Sequence, residues 1–220
     1  HDAIRKTAEY EILVDVHDEY RVTGLERTYP NFLTAEGIGG DETRPTHEQA
    51  LANLFTRMIA GPADHTFCYY NGYVDQTSSH ASQLAKSVCF FSPLQFLFWY
   101  DRPSQMSKDP ELEFFRHLPT TWDESLVLHS KIGTYAAIAR RNGKNWFVGC
   151  LNAVEPRTLE VVFDFLPGDK NYTAHIYRDD DSVNTRTKVG IEKRDVTATS
   201  VFRADLAKQG GVAIRLVPIN

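Results

Sequence analysis

The chain is short of cysteine, and the few it has are in the wrong pattern for cross-linking. Cys68, Cys89 and Cys150 are odd in number and none forms a C-x-x-C pair, which argues against a disulfide framework and a zinc site. An excess of positive charge is missing too. The formal net charge is -5, and no basic stripe supplies the footprint that nucleic acid requires. Arg140, Arg141 and Lys144 cluster, but they flank a turn and read as a solvated face. No apolar run reaches the roughly 20 residues of a membrane helix. The longest, from Val88 to Tyr100, is interrupted by Ser92, Pro93 and Gln95. There is no G-x-S-x-G, P-loop, dinucleotide fingerprint or H-E-x-x-H, and no internal repeat or low-complexity tract. The opening "HDAIRKTAEYEILVDVH" carries neither a signal-peptide pattern nor a start methionine, and is expected to be the interior of a longer chain.

What is present is an ordinary globular composition whose pattern changes near Pro119. Before it, short buried strands alternate with helices. Residues 2–10 have helical character, and Glu11 to His17 and Asn31 to Glu36 read as strands. Residues 47–59 read as an amphipathic helix with Thr46 as N-cap and Gly61-Pro62 as its stop. His65 to Asn71 is a third strand candidate, and a long apolar helix is expected over 79–100 with a kink at Pro93. This alternation implies an α/β arrangement with parallel strands. After Pro119, "TYAAIARRNGKNWFVGCLN" is two strands around Asn142-Gly143, a strong hairpin signal. "TLEVVFDFL", "YTAHIYRD", "TSVFRADL" and "GVAIRLVPI" add further short strands. The expected architecture is therefore α/β plus all-β: residues 1–121 as the C-terminal portion of a (β/α)8 barrel, and 122–220 as an antiparallel β-sandwich. About three β/α units cannot close a barrel that needs eight, so its front must come from elsewhere.

Acids repeatedly follow the strands of the first half, where barrel enzymes carry their chemistry. In "TYPNFLTAEGIGGDE" (residues 28–42), Glu36 and Glu42 stand six residues apart across Gly37, Gly39 and Gly40. A glycine-rich loop lets two such carboxylates converge on a hard cation or on a glycosidic bond, although a solvated acidic loop has the same composition. His17, Asp18, Glu19, Tyr20 and Arg21 form a polar cluster after the first strand. His17 suits contact with a hydroxylated ligand, or simply a hydrogen bond. Arg27 suits holding carboxylates in place, or exposure. Arg57 suits stem packing, and His80 suits lining a cleft or capping its helix.

These segments, together with "LFTRMIAGPADHTFCYYNG", "SPLQFLFWYDRP", "PTTWDESLVLHSKIG" and "GGVAIRL", resemble glycoside hydrolase family 97 across essentially the whole chain. The "RTYPN…E…GDE" segment is the most specific part. The resemblance implies an exo-acting α-glucosidase or α-galactosidase with an N-terminal β-super-sandwich, a catalytic (β/α)8 barrel and a C-terminal β domain. This chain matches the end of the barrel and the last domain. It implies that Glu42 is the general acid, that Glu36 ligates Ca2+ beside it, and that His17 faces the sugar in subsite -1. Arg27 and His80 are carried along as substrate-binding candidates. Asp18 falls where inverting members carry a glutamate that binds Ca2+ and helps activate water, whereas retaining members have a non-acidic residue there and an aspartate nucleophile on an earlier strand. Asp18 fits neither pattern, so catalytic Glu42 and Asp18, with Glu36, Glu42 and Asp18 as metal ligands, leave the stereochemistry open. Asp41 reads as a bystander. The implied partners are an oligosaccharide and the missing N-terminal portion of the same enzyme, with no nucleic acid and no membrane span. The implied location is periplasmic or secreted in a Gram-negative bacterium, and the 220 residues alone are expected to be inactive. A non-catalytic carbohydrate-binding module and a degenerate relative are the alternatives.

Overall fold

The structure, a computed structural model, describes residues 1–18, 23–102, 104 and 108–219. Glu19, Tyr20 and Arg21 of the polar cluster lie outside the described residues. The chain begins with helix α1 (Asp2–Ala8) and two short strands, β1 (Val14–Val16) and β2 (Phe32–Ala35). These two strands pair in parallel, with Val16 opposite Ala35. Parallel pairing brings their C-terminal ends to the same edge. Ile4, Phe32 and Ala35 form a small apolar cluster beneath them.

Helices α2 (His47–Asn53), α3 (Val74–Thr77), α4 (His80–Cys89) and α5 (Glu113–His117) follow. Thr46 caps α2 as expected, in a reciprocal capping box with Gln49. The helix is shorter than its apolar pattern suggested. It ends at Asn53, and a 3-10 turn (Arg57–Ala60) runs on to Gly61. Two further expectations are corrected. The apolar stretch 79–100 is helical only to Cys89. Phe90 turns extended, as suits a chain with Pro93 four residues past Cys89: a continued helix would set the proline ring, which lacks an N–H, against the Cys89 carbonyl. Residues 91–99 then run beside residues 63–68: Ala63 donates to the Phe91 carbonyl, Phe67 to Phe96, and Trp99 to Phe67. Residues 65–71 therefore form no continuous strand but a single bridge between Cys68 and Phe98.

The remainder is antiparallel. A six-stranded sheet runs in the order β3-β4-β5-β10-β7-β8, and β6-β9 forms a second, two-stranded sheet. In chain order the strands are β3 (Glu124–Lys131), β4 (Tyr135–Asn142), β5 (Asn145–Asn152), β6 (Arg157–Val162), β7 (Tyr172–Asp179), β8 (Val189–Val196), β9 (Val201–Leu206) and β10 (Gly211–Pro218). The Asn142-Gly143 hairpin joins β4 to β5, with Asn142 opposite Asn145.

Side chains of a strand alternate between faces, and the central strands are buried on both. On one face Ala137, Val148, Cys150, Ile176, Val212 and Ile214 pack against Leu159, Val161, Phe202 and Ala204 of β6 and β9, forming the sandwich core. On the other face Ala136, Ile138, Phe147, Leu151 and Ala213 pack against Ala81, Leu84, Ala85 and Val88 of α4. All ten residues of α4 are buried as a result. One core therefore spans residues on both sides of position 121. The three cysteines are free and buried.

A carboxylate cluster at the ends of the parallel strands

The common edge of β1 and β2 gathers the first-half acids. Glu36 follows β2 directly, and its N–H donates to the Val16 carbonyl at 2.9 Å. Its carboxylate returns to the end of β1, where Oε2 accepts the Asp18 N–H at 2.7 Å. Arg57 holds this turn from outside. Its guanidinium donates to the carbonyls of Ala35 (3.1 Å), Glu36 (3.3 Å), Gly61 (3.0 Å) and Pro62 (3.2 Å). The arginine read as stem packing is thus a backbone clamp on the strand end that carries Glu36.

Glu42 sits on the next element, a 3-10 turn (Asp41–Thr43). Gly40 is essential to this geometry, because a Cβ there would collide with both the Glu42 carboxyl and the His65 carbonyl. Burial, followed by the hydrogen-bonding contact and charge of Glu36, pushes the Glu42 carboxyl up to about 7. One of its oxygens, Oε2, is buried with no hydrogen-bond partner. Such a carboxyl can hold a proton near neutrality and deliver it.

His17 is half-buried at the end of β1, with Nε2 2.8 Å from Asp64 Oδ2 and 3.2 Å from Asp15 Oδ2, and Nδ1 3.8 Å from Glu36. The Phe96 ring meets it edge-on at 5.3 Å. Asp64 is fully buried and heavily anchored: Oδ1 accepts the N–H groups of Thr66 and Phe96, each at 3.2 Å, and Oδ2 accepts the Thr66 hydroxyl at 3.0 Å. Burial alone would lower the His17 pKa, but Asp15 and Asp64 outweigh it and raise it. Burial, then the charge of Asp64, pushes the Asp15 carboxyl up to about 6. Among the described residues Asp15, His17 and Asp64 converge closely enough to share an ion. The 2.8 Å His17–Asp64 separation and the donors already on Asp64 make this a hydrogen-bonded histidine.

Structure thus brings His17, Glu36 and Glu42 together. It separates the other candidates. The Asp18 side chain is exposed, and only its backbone reaches Glu36. Arg27, at the end of a 3-10 turn (Leu25–Arg27), is exposed and has no ion-pair partner among the described residues. His80 is buried against the Tyr69 ring at 5.0 Å and lies 3.7 Å from Asp75, beside a different cavity of about 360 Å³ lined also by Asp179 and Arg186. Burial lowers its pKa. Asp41, read as a bystander, is 3% exposed and bonded to His65 and Lys86. Asp15, Asp64 and Lys86 were not found by sequence reasoning. Asp15 left the one available signal, a lone acid inside an apolar strand; Asp64 and Lys86 left none, since the residues through which they bear on the site, His17 and Asp41, lie more than 40 residues away.

With this geometry in view, similarity to known proteins is informative. A family model described as "Glyco_hydro_97: Glycoside hydrolase 97" matches residues 1–38, and one described as "Glycosyl-hydrolase 97 C-terminal, oligomerisation" matches residues 121–217. A retaining α-galactosidase of Bacteroides thetaiotaomicron is 33% identical over 97% of this chain and 35% of its own length. A probable retaining α-galactosidase of Streptomyces bingchenggensis is 33% identical over 70% of this chain and 25% of its own. A solved family 97 enzyme from Pseudoalteromonas sp. strain K8, in complex with acarbose, is 32% identical with a TM-score of 0.88, covering 99% of this chain and 36% of that one. The chain thus spans about a third or less of the length of the curated relatives it matches.

Proposed function

The chain belongs to glycoside hydrolase family 97, and from that premise we propose that it is the acid-bearing part of an exo-α-glycosidase that cleaves terminal α-galactosides or α-glucosides. One observation carries this reading: Glu42, a carboxyl pushed up to about 7, stands beside Glu36 at the common end of two parallel strands. In the proposed reaction Glu42 protonates the departing glycosidic oxygen, and His17, steadied by Asp64, faces the sugar. The two parallel strands are read as the end of a (β/α)8 barrel whose other strands, and the enzyme's first domain, belong to a longer chain. The oligosaccharide binds across both parts. The exposed Asp18 carboxylate and the names of the two curated relatives favour retention, so the nucleophile would come from outside these 220 residues.

Ca2+ fits part of the expected donor set. Glu36 and Glu42 offer hard oxygen ligands, and the unpartnered buried Oε2 of Glu42 is the kind of atom a cation satisfies. The Asp18 carboxylate does not join them. Bound there, Ca2+ would supply positive charge that offsets the crowding of two carboxyl groups, while favouring the ionised form of Glu42. Glu36 is therefore the better ligand and Glu42 the better acid. The test is Glu42→Gln in the full-length enzyme. Hydrolysis of alkyl glycosides, whose leaving groups need a proton, should fall by about 10²–10⁴-fold, while activated aryl glycosides lose far less. Equal losses on both classes would remove Glu42 from the acid's role.

A further inference from the structure

Asp41, the residue before the acid, is locked into an interior network. Its Oδ1 lies 3.3 Å from Lys86 Nζ and 3.1 Å from His65 Nε2, and its Oδ2 accepts the Cys68 N–H at 3.2 Å. The Asp41 N–H donates to the Thr66 carbonyl at 3.1 Å. Lys86 and Asp41 are 4% and 3% exposed, and His65 is stacked on Phe90 at 4.7 Å. Burial alone would raise the Asp41 pKa; Lys86 and His65 outweigh it and hold the carboxyl well below the usual range. A lysine buried this deeply is rare unless its charge is matched. Lys86 belongs to α4, and the six-stranded sheet grips that helix closely. A Cβ on Gly211 would lie 2.5 Å from Ser82 Cα, and one on Gly149 would lie 2.8 Å from Cys89 Sγ. Arg140 of β4 donates to the Cys89 carbonyl at 3.0 Å, closing the helix's last turn.

We propose that Lys86 is a positioning residue for the general acid: it fixes Asp41, and with it the 3-10 turn that aims Glu42, to a helix seated on the C-terminal sheet. The C-terminal β domain thereby supports catalysis from behind the site without touching substrate. The proposal rests on the reading of Glu42 as the acid. A merely structural lysine would lower activity on every substrate alike as protein is lost. A positioning lysine withdraws the proton donor, so its loss weighs on substrates with poor leaving groups. Misplacing a catalytic group by about 1 Å costs on the order of 10²-fold.

The experiment compares Lys86→Met with the double variant Lys86→Met/Asp41→Asn in the full-length enzyme, using one alkyl and one 2,4-dinitrophenyl glycoside and taking Glu42→Gln as reference. Lys86→Met strands a buried carboxylate and is the variant more prone to misfold. The double variant removes both charges and keeps the fold testable. For the double variant kcat/KM on the alkyl substrate is expected to fall about 10–10²-fold, with kcat/KM on the dinitrophenyl substrate within about 3-fold of wild type; kcat/KM is the readout because it reports breakage of the glycosidic bond and not the later hydrolysis, in which the same residue acts as base. A folded double variant with equal losses on the two substrates, or none, would overturn the assignment. So would a double variant that does not fold, because the pair would then be needed for the core and not for aim. If Glu42→Gln itself shows no dependence on leaving group, the reading of Glu42 fails first, and the two failures are distinguishable.

Discussion

Gly211→Ala probes the seat of α4 on the C-terminal sheet. Gly211 opens β10, and an added methyl there would meet Ser82 Cα at 2.5 Å, Ser82 Cβ at 2.9 Å and Ser82 N at 3.0 Å. Two of these three atoms are backbone, so the clash cannot be relieved by a rotamer; the helix must lift from the sheet. Overpacking of this kind costs about 1–3 kcal/mol. For a cooperative unit of this chain's size that is a drop of about 2–12 °C in Tm. Gly168→Ala is the matched control, since its Cβ meets nothing within 4 Å and a surface change of this kind stays within about 0.5 kcal/mol. Thermal unfolding followed by calorimetry on both variants supplies the difference. If Gly211→Ala melts with the control, α4 is not in close contact with the sheet, and the link from sheet to acid has no footing.

Asp64→Ala would leave the buried N–H of Thr66 and the part-buried N–H of Phe96 without their acceptor. At about 1–3 kcal/mol for each unsatisfied group, a loss of about 2–6 kcal/mol should appear in the urea midpoint; a midpoint unchanged within error would contradict this anchoring role. Chelation of Ca2+ should lower the activity of the full-length enzyme, and Glu36→Gln should raise the Ca2+ concentration that restores it. Restoration of the variant at the wild-type concentration would exclude Glu36 as a ligand.

Parts of the fold were legible because local chemistry and tertiary context agree there. Asn142-Gly143 fixes its hairpin, and Thr46 and Gln49 fix a helix start. The alternation in β9 survives intact because one face fills the sandwich core. β3 and β8 were not singled out: both are edge strands of the sheet, and their charged residues, such as Glu192, Lys193, Arg194 and Asp195 in β8, mask the period. The long helix expected over 79–100 failed because its apolar residues past Cys89 serve a different partner, the 63–68 segment.

At the site, Glu36 and Glu42 stood out because acids among glycines after a strand are a local pattern. The network behind them is not local. Asp64 meets His17 from 47 residues away, and Lys86 meets Asp41 from 45. A lysine in a helix reads as solvated until the sheet that buries it is known. Asp18 was named from its place in the motif alone; in the structure a left-handed backbone (φ 67°) turns its N–H toward Glu36, and the residue is exposed.

The pH dependence of kcat/KM on an alkyl glycoside tests the central claim most directly. Glu42 acts in its protonated form, and its pKa is raised, so activity should be present at acid pH and fall as pH rises through about 7. On an activated aryl glycoside, and in Glu42→Gln on any substrate, that alkaline limb should vanish. An alkaline limb near 7 that persists in Glu42→Gln would assign the proton to another group and contradict the account.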